Sequence, residues 1–216
     1  GIDINNCNLS NFLKKNKDKI NTDLDLFYSF YKNFCITITG TNGKSTTCQL
    51  LYEVLLKQKF DVKLVGNIGT PILSSKNIKK KTIFIIEASS YQLEYSKIFK
   101  SNYAAILNIS SDHIERHKTI NGYVKAKFKL LKSQGKGDTA FLKKNDEFIH
   151  KELKQSKLKS KIVKVNTDSN NKFLKNINNK YFQNQTNREN LLFVLEISKK
   201  FNLNKKIFID TIQSFK

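Results

Sequence analysis

From residue 34 to the end of the chain, short apolar runs alternate with amphipathic stretches. Residues 34–39 (FCITIT) form a β-branched apolar run and predict a strand. Residues 44–59 place Leu50, Leu51, Val54 and Leu55 on one side of a helix. Strands follow at 62–65, 82–86 (TIFII) and 103–108 (YAAILN), then a helix at 120–132. A strand at 139–142, a helix at 147–155 and a strand at 161–165 continue the alternation. Helices at 186–201 and 205–215 close it. Strands alternating with helices imply βαβ units, and short, continuously apolar strands imply that both sheet faces are covered. The expected fold is α/β, a doubly wound, mostly parallel sheet. The Asn/Lys-rich stretch 166–179 is a loop or a set of weak strands, and no internal repeat is visible.

Residues 1–33 read differently. They are polar, with short helices expected at 8–17 and 23–31, and resemble a connector or the tail of a preceding domain. The domain proper is therefore expected at 34–216. A chain opening at Gly1-Ile2-Asp3 with no methionine is expected to be a fragment or a processed product.

Composition narrows the function. With 216 residues and 39% hydrophobic residues, the chain can bury a sizeable core and is not of the disordered class. No apolar run approaches the roughly 18 residues of a membrane span, and no signal segment opens the chain. The net charge of +21 invites a nucleic-acid reading, but only two of the 39 basic residues are arginine, Arg116 and Arg188. Arginine supplies the bidentate fork on which base and phosphate readers rely. The scattered lysines, with abundant Asn and a single Pro, fit the coding bias of an AT-rich genome and a solvated surface. Cys7, Cys35 and Cys48 form no CxxC pair, so no metal or disulfide framework is expected and a reducing cytosol is the default.

The chemistry concentrates at the carboxyl ends of the expected strands. Gly40, Thr41, Asn42, Gly43, Lys44, Ser45 and Thr46 lie between a strand and a helix, the setting of a phosphate-binding loop. The glycines let backbone N–H groups turn inward, and the helix N-terminus adds positive potential. Lys44 is placed to reach the β- and γ-phosphates, and the Ser45 hydroxyl to ligate Mg²⁺. Glu87 directly follows the run 82–86, so its carboxylate points into the ligand crevice, where Mg²⁺ takes one or two carboxylates. Ser89 and Gln92 follow it. His113 sits just beyond another strand end, as a metal ligand or a surface residue; His117 and His150 have no such setting. Asn67 lies in a tight polar loop, and Asn187 and Asn190 open a helix, as caps or as nucleotide contacts.

A quieter signal lies at 120–132. Ile120, Tyr123, Val124, Phe128, Leu130 and Leu131 share one arc of the helix, while Lys125, Lys129 and Lys132 lie opposite. Lys127 falls inside the apolar arc. It is either a lysine whose head reaches back to water, or one that meets a metal site or is modified. A neutral lysine amine can add CO₂ to give a carbamate, an anionic group able to ligate Mg²⁺.

Taken together, 39–46 (TGTNGKST), 66–71 (GNIGTP), 87–93 (EASSYQL), 108–117 (NISSDHIERH) and 123–127 (YVKAK) resemble the Mur ligase family, ATP-dependent amide-forming enzymes of peptidoglycan synthesis. They are most like the branch that joins D-glutamate to UDP-N-acetylmuramoyl-L-alanine. The resemblance implies that 34–216 is a central ATP-binding domain with a P-loop. It further implies that 1–33 is the end of an N-terminal UDP-binding domain with its connector, and that a C-terminal domain is missing. It implies ATP and Mg²⁺ as cofactors and the two substrates as the partners of a cytoplasmic, monomeric enzyme without nucleic acid or membrane. It implies catalytic roles for Lys44, His113 and Lys127, nucleotide binding by 40–46 with Asn187 and Asn190, and a substrate-proximal place for Asn67, Ser89 and Gln92. It implies metal binding by Ser45, Glu87, His113 and a carbamylated Lys127. The histidine that usually precedes the family's Asn pair is replaced here by Thr186. Two readings compete: another ligase of the same superfamily, such as one adding glutamate to folate, and a basic module that binds a nucleic-acid phosphate.

Overall fold

The computed structural model describes residues 7–110, 117–168 and 171–216. Among these, six strands form one parallel sheet: β1 Cys35–Thr39, β2 Val62–Gly66, β3 Ile83–Glu87, β4 Tyr103–Ile106, β5 Thr139–Lys143 and β6 Lys161–Val165. Their order is β2-β3-β1-β4-β5-β6, and every pairing is parallel rather than mostly so. The helices are α1 Ser10–Lys15, α2 Asp23–Phe30, α3 Lys44–Lys57, α4 Ser90–Tyr95, α5 Ile120–Lys132, α6 Glu147–Gln155, α7 Gln185–Ser198 and α8 Lys205–Ser214.

The period of two along each strand divides the core into two layers. Ile36, Ile38, Ile85 and Phe141 face α3, α7 and α8, packing with Leu51, Val54, Leu191, Val194 and Ile212. Cys35, Phe84, Ile86, Ala104 and Leu142 face the other way, against Leu24 and Phe27 of α2, Leu93 of α4, and Phe128 and Leu131 of α5. Both faces are therefore covered, which is why β1 and β3 carry no exposed residue. The two edge strands are protected differently. Lys63 on β2 and Lys161 and Lys164 on β6 put charge where an unpaired backbone would otherwise template aggregation.

One feature was not expected. The hydroxyl-rich run after Glu87 contains a helix, α4, that the pattern of residues does not announce, because six residues are too few to show a period. The stretch 166–179 takes the loop alternative: it forms no strand among its described residues, and Leu174–Asn176 is a single 3₁₀ turn.

The leading segment is fastened to the domain. α2 begins with a capping box in which Thr22 and Asp25 exchange side-chain and backbone bonds. The Asp25 carboxylate, 1% exposed, also accepts the amides of Lys97, Ile98 and Phe99 and the hydroxyl of Ser96. Burial pushes its carboxyl pKa up, but the Ile98, Lys97 and Phe99 amides and the Ser96 hydroxyl outweigh it, leaving the value below the ordinary 3.8. A depressed native value adds stability above the unfolded value, and that stability is lost as pH falls through the native value. Asp25→Asn would turn an amide N–H₂ toward those donors, at a cost of about 2–3 kcal/mol at neutral pH. Urea unfolding of wild type and variant should converge as pH drops below about 4; a pH-independent gap would exclude this origin.

Candidate functional site

The sheet order sets where the site lies. β1 sends its following helix, α3, to one face, while its neighbours β3 and β4 send α4 and α5 to the other. Connections that part in this way leave a crevice at the carboxyl ends of the strands, the usual ligand position in an open α/β sheet.

The loop 40–43 fills that position between β1 and α3. Asn108, just past β4, braces it: the Thr41 amide donates to the Asn108 carbonyl at 3.0 Å, and the Asn42 amide to Asn108 Oδ1 at 2.9 Å. Asn108 Nδ2 returns a bond to the Asn42 carbonyl. Gly43 caps α3 at φ +83°, and a Cβ there would stand 2.2 Å from Asn190 Oδ1. Lys44 Nζ donates to the carbonyls of Gly40 and Thr41 at 3.1 and 2.8 Å, so the lysine head lies over the loop. Thr46, one turn into α3, meets the Tyr181 hydroxyl at 3.3 Å.

One strand over, Glu87 ends β3 with 1% exposure. Ser45 Oγ donates to its Oε2 at 2.8 Å and Asn67 Nδ2 to its Oε1 at 2.9 Å. The Asn67 amide also donates to the Glu87 carbonyl at 3.0 Å. Gly66, at φ +107°, lets β2 end this close, since a Cβ would come within 2.4 Å of that carbonyl. The Ser45 hydroxyl and the Glu87 carboxylate are a hard-oxygen pair that suits Mg²⁺, an ion that keeps several waters and needs few protein ligands. Among the described residues, no group of three or more His, Cys, Asp or Glu is gathered. Cys48, fully buried on α3, is no nucleophile: burial first, and the Glu87 charge second, push its thiol well above the ordinary 9.0 against the opposing pull of Lys44.

Lys127 of α5 is buried at 1% exposure, which excludes the snorkelling alternative. Its Nζ donates to the Gly40 carbonyl at 2.9 Å and to Thr39 Oγ1 at 3.4 Å, and lies 4.3 Å from the centre of the Tyr123 ring. The buried face of α5 thus delivers a lysine to the same carbonyl that Lys44 touches. Asn190 is 2% exposed, and its Nδ2 is a buried donor with no partner among the described residues, beside the loop. An unspent donor at that spot fits a phosphate- or nucleotide-bearing ligand. Asn187 turns elsewhere, donating to the Tyr181 carbonyl at 2.8 Å. Ser89 caps α4 and Gln92 completes its capping box, reaching Asp23 rather than Glu87. His113 lies outside the described residues.

Sequence reasoning passed over two residues. Asn108 braces the loop, as its place at a strand end could have suggested. His117 is buried at 9% exposure, bonds Ser90 Oγ through Nε2 at 3.0 Å, and packs on Tyr91 and Tyr123 at centroid distances of 5.8 and 5.3 Å. Tyr123 in turn meets Thr41 Oγ1 at 3.3 Å. Only the spacing of His117 after His113 marks it in sequence; its partner lies 27 residues earlier.

The family described as the Mur ligase middle domain matches residues 38–207. A UDP-N-acetylmuramoylalanine--D-glutamate ligase of Rickettsia bellii is 31% identical over 91% of this chain and 48% of its own length. One of Lachnoclostridium phytofermentans is 38% identical over 63% of this chain and 30% of its own. The chain thus spans at most about half the length of these relatives. In fold it is similar to the MurF ligase of Thermotoga maritima in complex with ADP, at TM-score 0.66 and 18% identity over 89% of this chain and 51% of that one. It is also similar to E. coli FolC in complex with DHPP and ADP, at TM-score 0.61 and 15% identity over 97% and 66%.

The Gly43 contact is testable. Gly43→Ala combines a left-handed backbone with a Cβ inside the Asn190 amide, and should destabilise the fold by at least about 2 kcal/mol in thermal or urea unfolding. Adding Asn190→Ala should recover the steric part and leave the backbone part. A Gly43→Ala loss below about 0.5 kcal/mol would mean that α7 does not press on the loop.

Proposed function

The chain belongs to the Mur ligase family, and we propose that it is the ATP-binding domain of a ligase joining D-glutamate to UDP-N-acetylmuramoyl-L-alanine. The observation that carries this reading is the buried Glu87 carboxylate held between Ser45 of the phosphate loop and Asn67, with Lys127 at the carbonyl of Gly40. The names of the relatives at 31% and 38% identity support the choice of substrates. On this reading residues 34–216 are the central domain, and 1–33 are the end of a UDP-binding domain with its connector. A third domain would complete the enzyme, which works as a cytoplasmic monomer.

The reaction proposed transfers the γ-phosphoryl of ATP to the terminal carboxylate of the muramoyl substrate. The D-glutamate amine then attacks the acyl phosphate, giving an amide, ADP and phosphate. The loop amides and the N-terminus of α3 hold the phosphates, and Lys44 exchanges its loop carbonyls for phosphate oxygens as charge shifts in the transfer. Asn190 spends its free donor on the nucleotide, and Asn187 would have to leave the Tyr181 carbonyl to join it. Ser45 and Glu87 would hold one Mg²⁺, and His113 with a carbamylated Lys127 a second. Bound Mg²⁺ supplies neutralising charge to the phosphates. Carbamylation takes one proton from the Lys127 ammonium, then joins the neutral amine to CO₂ with loss of a second proton, so a buried cation becomes an anion. Asn67, Ser89 and Gln92 lie on the acceptor side. No helix among the described residues is long and apolar enough to cross a membrane.

Phosphate release by a protein carrying this chain together with the flanking domains of its relatives tests the reading. Release should require ATP, Mg²⁺, the muramoyl substrate and D-glutamate together. Lys127→Ala should lower it by about 10²-fold or more, with partial recovery on adding a short-chain acid. Glu87→Gln should lower it comparably without such recovery. Release indifferent to D-glutamate would refute the acceptor, and release stimulated by a folate substrate would favour the competing ligase.

A further inference from the structure

α2 holds the chain in the first turn of α4 and again just past its end. At the far end Asp25 collects the amides of Lys97, Ile98 and Phe99. At the near end both oxygens of Asp23 accept from Gln92 Nε2, at 3.1 and 2.9 Å. The other end of the same amide turns to Ser89: Gln92 Oε1 accepts from the Ser89 amide at 3.1 Å and from the Ser89 hydroxyl at 3.2 Å. Ser89 stands two residues past Glu87, and the next residue, Ser90, carries the hydroxyl that meets His117.

A glutamine amide has a donor end and an acceptor end that nearly superpose when it flips. An ionised carboxylate only accepts and the Ser89 amide only donates, so Asp23 and Ser89 together hold Nε2 toward α2 and Oε1 toward Ser89. The Ser89 hydroxyl donates to that oxygen, so its direction depends on the same amide. We infer that Asp23 is a positioning residue for the acceptor side of the site, acting through Gln92 on Ser89. The segment before the first strand is then part of the site's construction and not only a connector. This inference rests on the proposed placement of Ser89 and Gln92 near the muramoyl substrate.

Two measurements on the same multidomain protein test it. By hydrogen–deuterium exchange, Asp23→Ala should speed exchange of a peptide spanning residues 89–93 about tenfold and leave α8 unchanged. Asp23→Asn, which keeps one acceptor oxygen, should fall between. In kinetics, Asp23→Ala should raise KM for the muramoyl substrate about five- to twentyfold, with KM for ATP within twofold and kcat within threefold. In a Gln92→Ala background the same substitution should add nothing. Unchanged exchange at 89–93 would overturn the inference whatever the activity. Faster exchange with the two KM values rising together would also overturn it, reducing Asp23 to a general structural contact. A wild type whose phosphate release ignores D-glutamate would refute the ligase reading instead, and the exchange result would still decide for or against the Asp23–Gln92–Ser89 chain.

Discussion

A carboxylate taken out of water must be met by donors, and the Glu87 side chain is taken out almost entirely. Its two oxygens are met by Ser45 at the start of α3 and Asn67 after β2, so one buried charge ties three strand ends together. Removing either partner would leave the charge underpaired in a low-dielectric crevice, a far larger penalty than losing a surface hydrogen bond. This requirement explains why β2 ends in a left-handed glycine. Only Gly66 lets the backbone lie against the Glu87 carbonyl and bring Asn67 to its carboxylate.

Around that charge the phosphate loop is stiffened from several sides. Asn108 bonds it from β4, Asn190 presses on it from α7, and Lys127 reaches its first carbonyl from α5. These contacts come from both faces of the sheet. A doubly wound arrangement can therefore bring cations, a carboxylate and amide donors to one loop without any element leaving the packed layers. The two lysine heads share the Gly40 carbonyl, a concentration of positive charge suited to polyanionic ligands and to charge that moves during phosphoryl transfer.

How much was legible beforehand depends on the range of each signal. The loop 40–46, Glu87 at a strand end and Lys127 inside an apolar arc are local patterns, and each stands where its period or flanking elements put it. α4 escaped notice because six residues carry no period, and the capping pair Ser89 and Gln92 announces a helix start only once the chain is known to turn there. Asn187 and Asn190 look equivalent in sequence, yet the helix turns one toward Tyr181 and the other toward Gly43.

By itself the sequence determined the alternation of strands and helices, the burial of both sheet faces and the residue types at the strand ends. Those follow from backbone geometry and the water-averse spacing of side chains, which act among near neighbours. Tertiary structure alone decided that Asp23 orients Gln92, that His117 holds Ser90 and that Asn108 braces the loop. These pairings join residues from 27 to 69 positions apart. They exist because packing of the two layers sets the distances at which a donor and an acceptor can meet, and no local pattern in the chain encodes those distances.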